Sequence, residues 1–355
     1  MRDIDKIRDA LAGASARGER LVLATVMSVE GSVYRGAGAR MVVHANGATV
    51  GAVSGGCLEA DVVARTPDVL AAGAPELLRY DTRTTDDVLL GLGMGCQGII
   101  ELLLEPLSGS SLTDAAAYYA RIARRREPVS LLTLVRTIDG VAIGSRLLVD
   151  DAGRPLEGDV ALMGLSEHVA REDIAPTISL VICGGGTDAI PLARLAKDLG
   201  WHVAVVDHRA AFTTTERFAG ADALVCVNLT HENAKLGEHV VIDGRTMAVV
   251  MAHSAVHDGA YLRAMLDAGA AYVGVLGPRR RTLELLGLSA AGDAQVPSSV
   301  HSPAGLDLGA ETPEEIALSI VAEIAAVSRA RAGGMLRERR GPIHDRQSGY
   351  QQPAR

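Results

Sequence analysis

Apolar and polar positions change their spacing several times along this chain. Ile4, Ile7, Leu11 and Ala14 recur at helical intervals and predict a short helix over residues 4–17. "RLVLATVMSV" is an almost unbroken apolar run of strand length. "EGSVYRGAGAR" is a glycine-rich loop, and "ARMVVHANGATVGAVSG" reads as a hairpin turning at Asn46-Gly47, a dipeptide suited to the positive φ of such turns. "CLEADVVARTPDVLAAG" predicts a helix and "PELLRYDT" a strand. "DDVLLGLGMGCQGIIELLLEPL" is a second glycine-rich loop running into an apolar strand. "SGSSLTD" reads as a linker that ends in a helix cap near Thr113, with a basic helix behind it to about Arg126.

The pattern then recurs. "LATVMSVEGSVYRGAGARMVVHANGATVGAV" from Leu23 and "LLTLVRTIDGVAIGSRLLVDDAGRPLEGDV" from Leu131 both run strand, glycine loop, G-x-R with two apolar residues and Val, turn, and G-x-V. The second copy has a shorter loop and lacks both glycine–cysteine turns. It reads as a degenerate repeat that keeps the scaffold without the site; coincidence between two β-rich stretches is the alternative.

From Pro176 strands and helices alternate, which predicts a parallel α/β sheet. "ISLVICGGGTDAIPLARLAKDLGWHVAVVDHR" is strand, glycine turn, helix, strand. "DALVCVNL", "MAVVMAH" and "AYVGVLG" supply three more strands. "ETPEEIALSIVAEIAAVSRAR" starts a helix with Thr312 as cap, Pro313 in the first turn and Glu315 closing a capping box. The expected fold class is therefore α/β, a mixed α+β N-terminal domain followed by a Rossmann-like parallel-sheet domain. The expected division is 1–107, a domain with two glycine–cysteine loops; 108–175, a linker helix and second β-rich segment; 176–331, the Rossmann-like domain; and 332–355, a disordered tail rich in Gly, Arg and Gln.

Composition narrows the function classes. A length of 355 residues with 48% apolar and 22% charged residues fits a two-domain globular protein. A net charge of −8 argues against a general nucleic-acid binder. No apolar run is long enough to span a bilayer, and "MRDIDKIRDALAG" is an amphipathic charged start rather than a signal peptide, so the expected location is the cytoplasm. Four scattered cysteines, at 57, 96, 183 and 226, do not make a disulfide framework. Cys183 and Cys226 lie in apolar strands and read as core residues.

Two groups of residues carry candidate chemistry. "CGGGTDA" places Gly184, Gly186 and Ala189 in G-x-G-x-x-A form after a strand and before a helix, and Asp207 ends the next strand where a ribose-binding acid belongs. A dinucleotide there would be NAD rather than NADP, because a 2′-phosphate would meet a carboxylate. Asp188, in the first helical turn, would repel a phosphate; a Rossmann domain without cofactor is the other reading. His253 and His257 fall at the carboxyl edge of the sheet, and Arg279, Arg280 and Arg281 follow the fifth strand as an anion clamp or a solvated helix start. The second group is "SGGC" and "GMGC". Each sets a thiol, Cys57 or Cys96, after a glycine turn whose backbone N–H groups favour anions and thiolates. Arg35 and Arg40 can hold an oxyanion, and Glu59 and Asp61 can accept protons or orient arginine. A zinc site is disfavoured, because no C-x-x-C or histidine pair completes four ligands. Burial as small core residues is the alternative for both thiols.

"EGSVYRGAGARMVV", "GAVSGGCLEADV", "GLGMGCQGIIELLLEP", the Rossmann unit at 178–209, "AYVGVLGPRRR" and "GLDLGAETPEEIALSIVAEI" together resemble the XdhC/CoxI family of xanthine dehydrogenase accessory proteins, from about residue 5 to 331. The resemblance implies a cytoplasmic chaperone, often dimeric, that binds molybdenum cofactor, supports its sulfuration and hands it to an apo molybdenum hydroxylase such as xanthine dehydrogenase, with a cysteine desulfurase as a further partner. By motif, the family's signature cysteines fall on Cys57 and Cys96, which would touch the metal or its sulfur, and its glycine loop on Gly31 to Arg40; together with the residue reading above, the expected site residues are Ser32, Arg35, Arg40, Gly55, Gly56, Cys57, Glu59, Gly95 and Cys96, with Gly184, Gly186, Asp207 and His253 in the second domain. No residue is assigned a catalytic role. Thr187 stands where many relatives have a histidine after the Rossmann glycines, and Ser254 where many have an aspartate. The competing readings are an NAD-dependent oxidoreductase on residues 178–330, which lacks a hydride-transfer constellation, and a redox sensor whose two thiols form a disulfide.

Overall fold

Strand β1 (Leu21–Gly31) is buried along its first eight residues, and its odd and even positions enter different cores. The computed structural model that shows this describes residues 3–31, 33–56, 58–81, 98–229, 235–288 and 295–340. These divide into two compact units, 3–176 and 177–340.

In the first unit β1 lies between β2 (Arg40–His44) and β5 (Gly98–Leu107) in an antiparallel sheet ordered β3-β2-β1-β5-β4, with β3 (Thr49–Gly51) and β4 (Glu76–Asp81) at the edges. Successive side chains of a strand point to opposite faces. Leu21 and Leu23 therefore pack with Ile7 and Leu11 of α1 (Asp3–Ala16) and with Leu112, Tyr119 and Ile122 of α3 (Gly109–Arg124). Val22, Ala24 and Val26 pack with Val62 and Val69 of α2 (Glu59–Ala72). Covering both faces is why β1 and β5 read as continuous apolar runs rather than alternating ones.

A second antiparallel sheet follows, ordered β8-β7-β6-β9, from β6 (Val129–Leu134), β7 (Arg146–Asp150), β8 (Pro155–Gly158) and β9 (Val169–Ile174). Its order copies β3-β2-β1-β5, and the register copies it too, with Thr25 opposite Arg40 and Thr133 opposite Arg146. Gly38 and Gly144, each two residues before its arginine, take left-handed φ of 86° and 88°. The arginines pair across the two halves: Arg40 with Glu172 of β9, and Arg146 with Glu105 of β5. "SGSSLTD" is the start of α3 and not a linker. The Ser111 hydroxyl accepts from the Ser108 N–H at 3.0 Å, so the helix nucleates at Ser108, and Thr113 lies inside it with its hydroxyl donating to the Gly109 carbonyl.

The second unit is a parallel sheet ordered β12-β11-β10-β13-β14-β15, built from β10 (Ser179–Cys183), β11 (His202–Asp207), β12 (Ala223–Cys226), β13 (Thr246–Val250), β14 (Tyr272–Val275) and β15 (Val300–His301). In sequence terms this is the 3-2-1-4-5-6 order of a Rossmann sheet, whose switch point falls between β10 and β13. The expected fold class is the one found. Leu192 of α4 (Ala189–Asp198) and Ile320 of α7 (Pro313–Val327) cover one face; Tyr261 and Met265 of α5 (Ala255–Asp267) cover the other. Thr312 and Glu315 form the capping box of α7. Cys183 is buried, but Cys226 is exposed, contrary to its reading as a core residue, because it ends the edge strand β12. Residues 332–340 contain a 3-10 turn at Leu336–Glu338, and Gly333 lies against Leu306.

Candidate functional site

Antiparallel pairing gathers the loop ends of the first sheet. Gly31 at the end of β1 is opposite Gly98 at the start of β5, and Asp81 at the end of β4 is opposite Ile99. The first glycine loop leaves from Gly31, the segment 82–97 is anchored at Asp81 and Gly98, and "SGGC" follows β3 and leads into α2. Ser32, Cys57, Gly95 and Cys96 lie outside the described residues, while their neighbours define the setting.

Glu59 organises that setting. Its Oε1 accepts from the N–H groups of Val53 at 3.1 Å and Ser54 at 2.7 Å, and its Oε2 from Gly56 N–H at 3.1 Å. The Ser54 hydroxyl donates to the same carboxylate and accepts from the N–H groups of Gly56 and Leu58. Partial burial pushes the Glu59 carboxyl up, but the Ser54 hydroxyl and the turn's N–H groups outweigh it and hold it below the usual carboxylate range. Gly56 has a φ of 116°, where a side chain is strained. A Cβ on Gly55 would stand 3.4 Å from the Tyr34 ring, so the two glycine loops touch there. Asp61 of α2 accepts from the Tyr80 hydroxyl of β4 at 2.5 Å and from Arg65. Burial first, and Asp61 second, raise the Tyr80 phenol.

Arg40 does not join this site. It is 2% exposed, and it donates to Glu172, to the Gly38 carbonyl and to the Tyr119 hydroxyl. A buried guanidinium must be paired, and this one is paired inside the fold, leaving it nothing for a cargo phosphate. Arg35 stays half-buried in the first loop. Sequence reading misses Ser54 and Tyr34; Ser54, in the "SGGC" motif itself, is the available signal.

In the second unit the glycine turn is enclosed. A Cβ on Gly184 would lie 2.5 Å from the Ala252 N, and one on Gly185 would lie 2.1 Å from the Phe212 carbonyl oxygen; Gly186 faces open space. Asp207, expected to meet a ribose, is buried and engaged: Gly185 N–H donates at 2.8 Å, Arg209 N–H at 2.8 Å, and the Arg209 guanidinium reaches both oxygens at 2.9 Å. Burial raises its carboxyl, but these donors overcome that and lower it. Asp207 thus latches the turn from inside the fold. His253 has φ 56°, rare for a residue with a side chain, and places Nε2 3.6 Å from Asp188 across the switch point. Ser254 caps α5, and Asp258, 1% exposed, accepts from Ala252 N–H at 2.8 Å and from Arg281. The His208 ring stacks on His257 at 3.6 Å and 8°. No three His, Cys, Asp or Glu side chains among the described residues form a metal-ligand set, and no described helix is long and apolar enough to cross a membrane.

A family profile described as the XdhC Rossmann domain matches residues 180–324, and one described as the XdhC and CoxI family matches 14–81. A Bacillus subtilis protein named as a probable xanthine dehydrogenase subunit is 33% identical, over 86% of this chain and 92% of its own length. The chain belongs to the XdhC and CoxI family. A second family relative, the molybdenum cofactor insertion chaperone PaoD of Escherichia coli, is 25% identical over 87% of this chain and 84% of its own. A crystal structure described as a xanthine dehydrogenase from Bacillus halodurans superposes with a TM-score of 0.78 at 29% identity, covering 93% of this chain and 97% of that one. The XdhC match spans the glycine turn, His253 and Arg281; the XdhC/CoxI match spans Glu59 and both of its flanking loops.

Proposed function

We propose that this chain is a chaperone that binds molybdenum cofactor, supports its sulfuration and delivers it to an apo molybdenum hydroxylase of the xanthine dehydrogenase kind. The observation that carries the reading is the Glu59–Ser54 cradle beside Cys57. Five hydrogen bonds from backbone N–H groups and one from a hydroxyl hold the turn open with no side chain at Gly55 or Gly56. The names borne by its relatives support it.

In this reading Cys57 and Cys96 offer soft thiolates to the molybdenum or its sulfur. Ser32, Arg35, Gly55, Gly56 and Gly95 surround the pterin, and Glu59 keeps the turn in shape without touching the cargo. A cysteine desulfurase supplies the sulfur, and two copies of the chain associate. The alternative of an NAD-dependent oxidoreductase is disfavoured, because both Asp207 oxygens are engaged and the Phe212 carbonyl faces the glycine turn. Molybdenum and pterin content, measured on protein purified without oxygen from a host that makes the cofactor, tests the reading. Wild type should carry both and the Cys57→Ala, Cys96→Ala variant neither. Equal content in the two proteins removes the thiols from the site, and NAD in place of cofactor overturns the reading.

A further inference from the structure

We propose that the groove between α5 and α6 (Arg279–Leu285) binds the phosphate end of a small organic phosphoester. The groove measures about 500 Å³; Ala255 and Gly259 form one wall, and Arg280, Arg281, Glu284 and Leu285 the other. It opens beyond the carboxyl ends of β13 and β14, on the edge where open α/β sheets take ligands. The glycine turn at the same edge is a poor anion site. Asp188 sets a carboxylate at the N-cap of α4, and the Phe212 carbonyl oxygen closes on Gly185. The next crossover carries two arginines, each held by one carboxylate, Glu284 or Asp258.

Three features shape that charge. Arg281 is anchored by Asp258, a carboxylate 1% exposed that also holds the Ala252 N–H. Only one amino group of its guanidinium is used this way, and no other side chain among the described residues accepts from it. Among the described residues Arg280 is paired with Glu284, in a solvent-facing pair of 83% and 62% exposure that a ligand oxygen can replace at little cost. Ala255 opens the thirteen-residue helix α5 and lines the groove, so the positive end of the helix dipole lies beside it. Gly259, a poor residue for a helix interior, leaves the room. A volume of this size exceeds a phosphate several times over, and Leu285 and Ala255 supply apolar wall for an organic body.

This site does not depend on the cofactor reading, and its test is separate from it. The full chain is titrated calorimetrically with inorganic pyrophosphate and with adenosine diphosphate. Saturable binding of both is expected, the nucleotide at least fivefold tighter, and weakening as salt rises. Ala255→Glu puts a carboxylate in the groove and in a first helical turn, where it favours the helix. It should weaken the nucleotide more than tenfold with an unchanged melting temperature, and Arg280→Gln should weaken it severalfold. Absence of saturable binding, or unchanged affinity in Ala255→Glu, overturns the site. Pyrophosphate as tight as the nucleotide reduces it to a free-anion site and overturns the phosphoester claim.

Discussion

Arg40 and His253 show what single side chains do here. The buried Arg40–Glu172 pair holds two strands of different halves together, and breaking such a pair by neutralising one member leaves an uncompensated charge. Glu172→Gln should therefore cost about 3 kcal/mol in urea unfolding, whereas Arg40→Met with Glu172→Met should recover most of that loss. His253 sits at left-handed φ without being glycine. Relief of that strain in His253→Gly should stabilise the second unit by about 0.5–1 kcal/mol, read as a higher melting temperature. If the imidazole also contacts cargo, cofactor content falls as stability rises, a split that a purely structural residue would not produce.

At the scale of elements, the turn before α2 depends on one carboxylate. Glu59→Ala leaves the N–H groups of Val53, Ser54 and Gly56 without their acceptor, which should cost about 1–3 kcal/mol and speed amide exchange at Gly56 and Leu58. The pH dependence follows from the depressed carboxyl. This contribution is fully present above the unfolded value of about 4.3 and is lost as pH falls through the lower folded value, so the variant should lose less stability than wild type on acidification below pH ~4.3. The stacked pair between β11 and α5 acts in a higher window. Burial first, then His257, hold the His208 imidazole below the usual histidine range, against the pull of Asp207. Its neutral form is the folded one, so stability should decline as pH falls from about 6.5 through the folded value. His208→Phe, which keeps a stacked ring without a titrating group, should flatten melting temperature between pH ~7 and ~5.5.

At the scale of the molecule, every core cluster among the described residues belongs wholly to one unit: two to the Rossmann sheet, four to residues 4–174. A unit with its own core can fold alone. Residues 177–340 expressed by themselves should unfold cooperatively with the melting temperature of one of two transitions in the full chain; a fragment without cooperative unfolding would show that its stability comes from elsewhere. Within 3–176 the two β-rich halves should not separate, because α1, α3 and both sheets share one core and the arginines pair across halves.

Period and punctuation along the chain determine most strands and helices, the alternation of strand and helix after residue 176 and the α7 cap, because these depend on local spacing and turn chemistry. The SGSSLTD segment reads wrongly as a linker because serine serves loops and helix caps equally well, and only the hydrogen bonds formed decide between them. The tertiary structure alone decides which charged residues face inward. Arg40 and Asp207 have the sequence settings of ligand-binding groups, yet Glu172, 132 residues away from Arg40, and the donors Gly185 and Arg209 around Asp207 turn them into internal braces. A charge in a dry interior takes whatever partner the fold brings to it, and that partner is set by strand order and register, which no local pattern records.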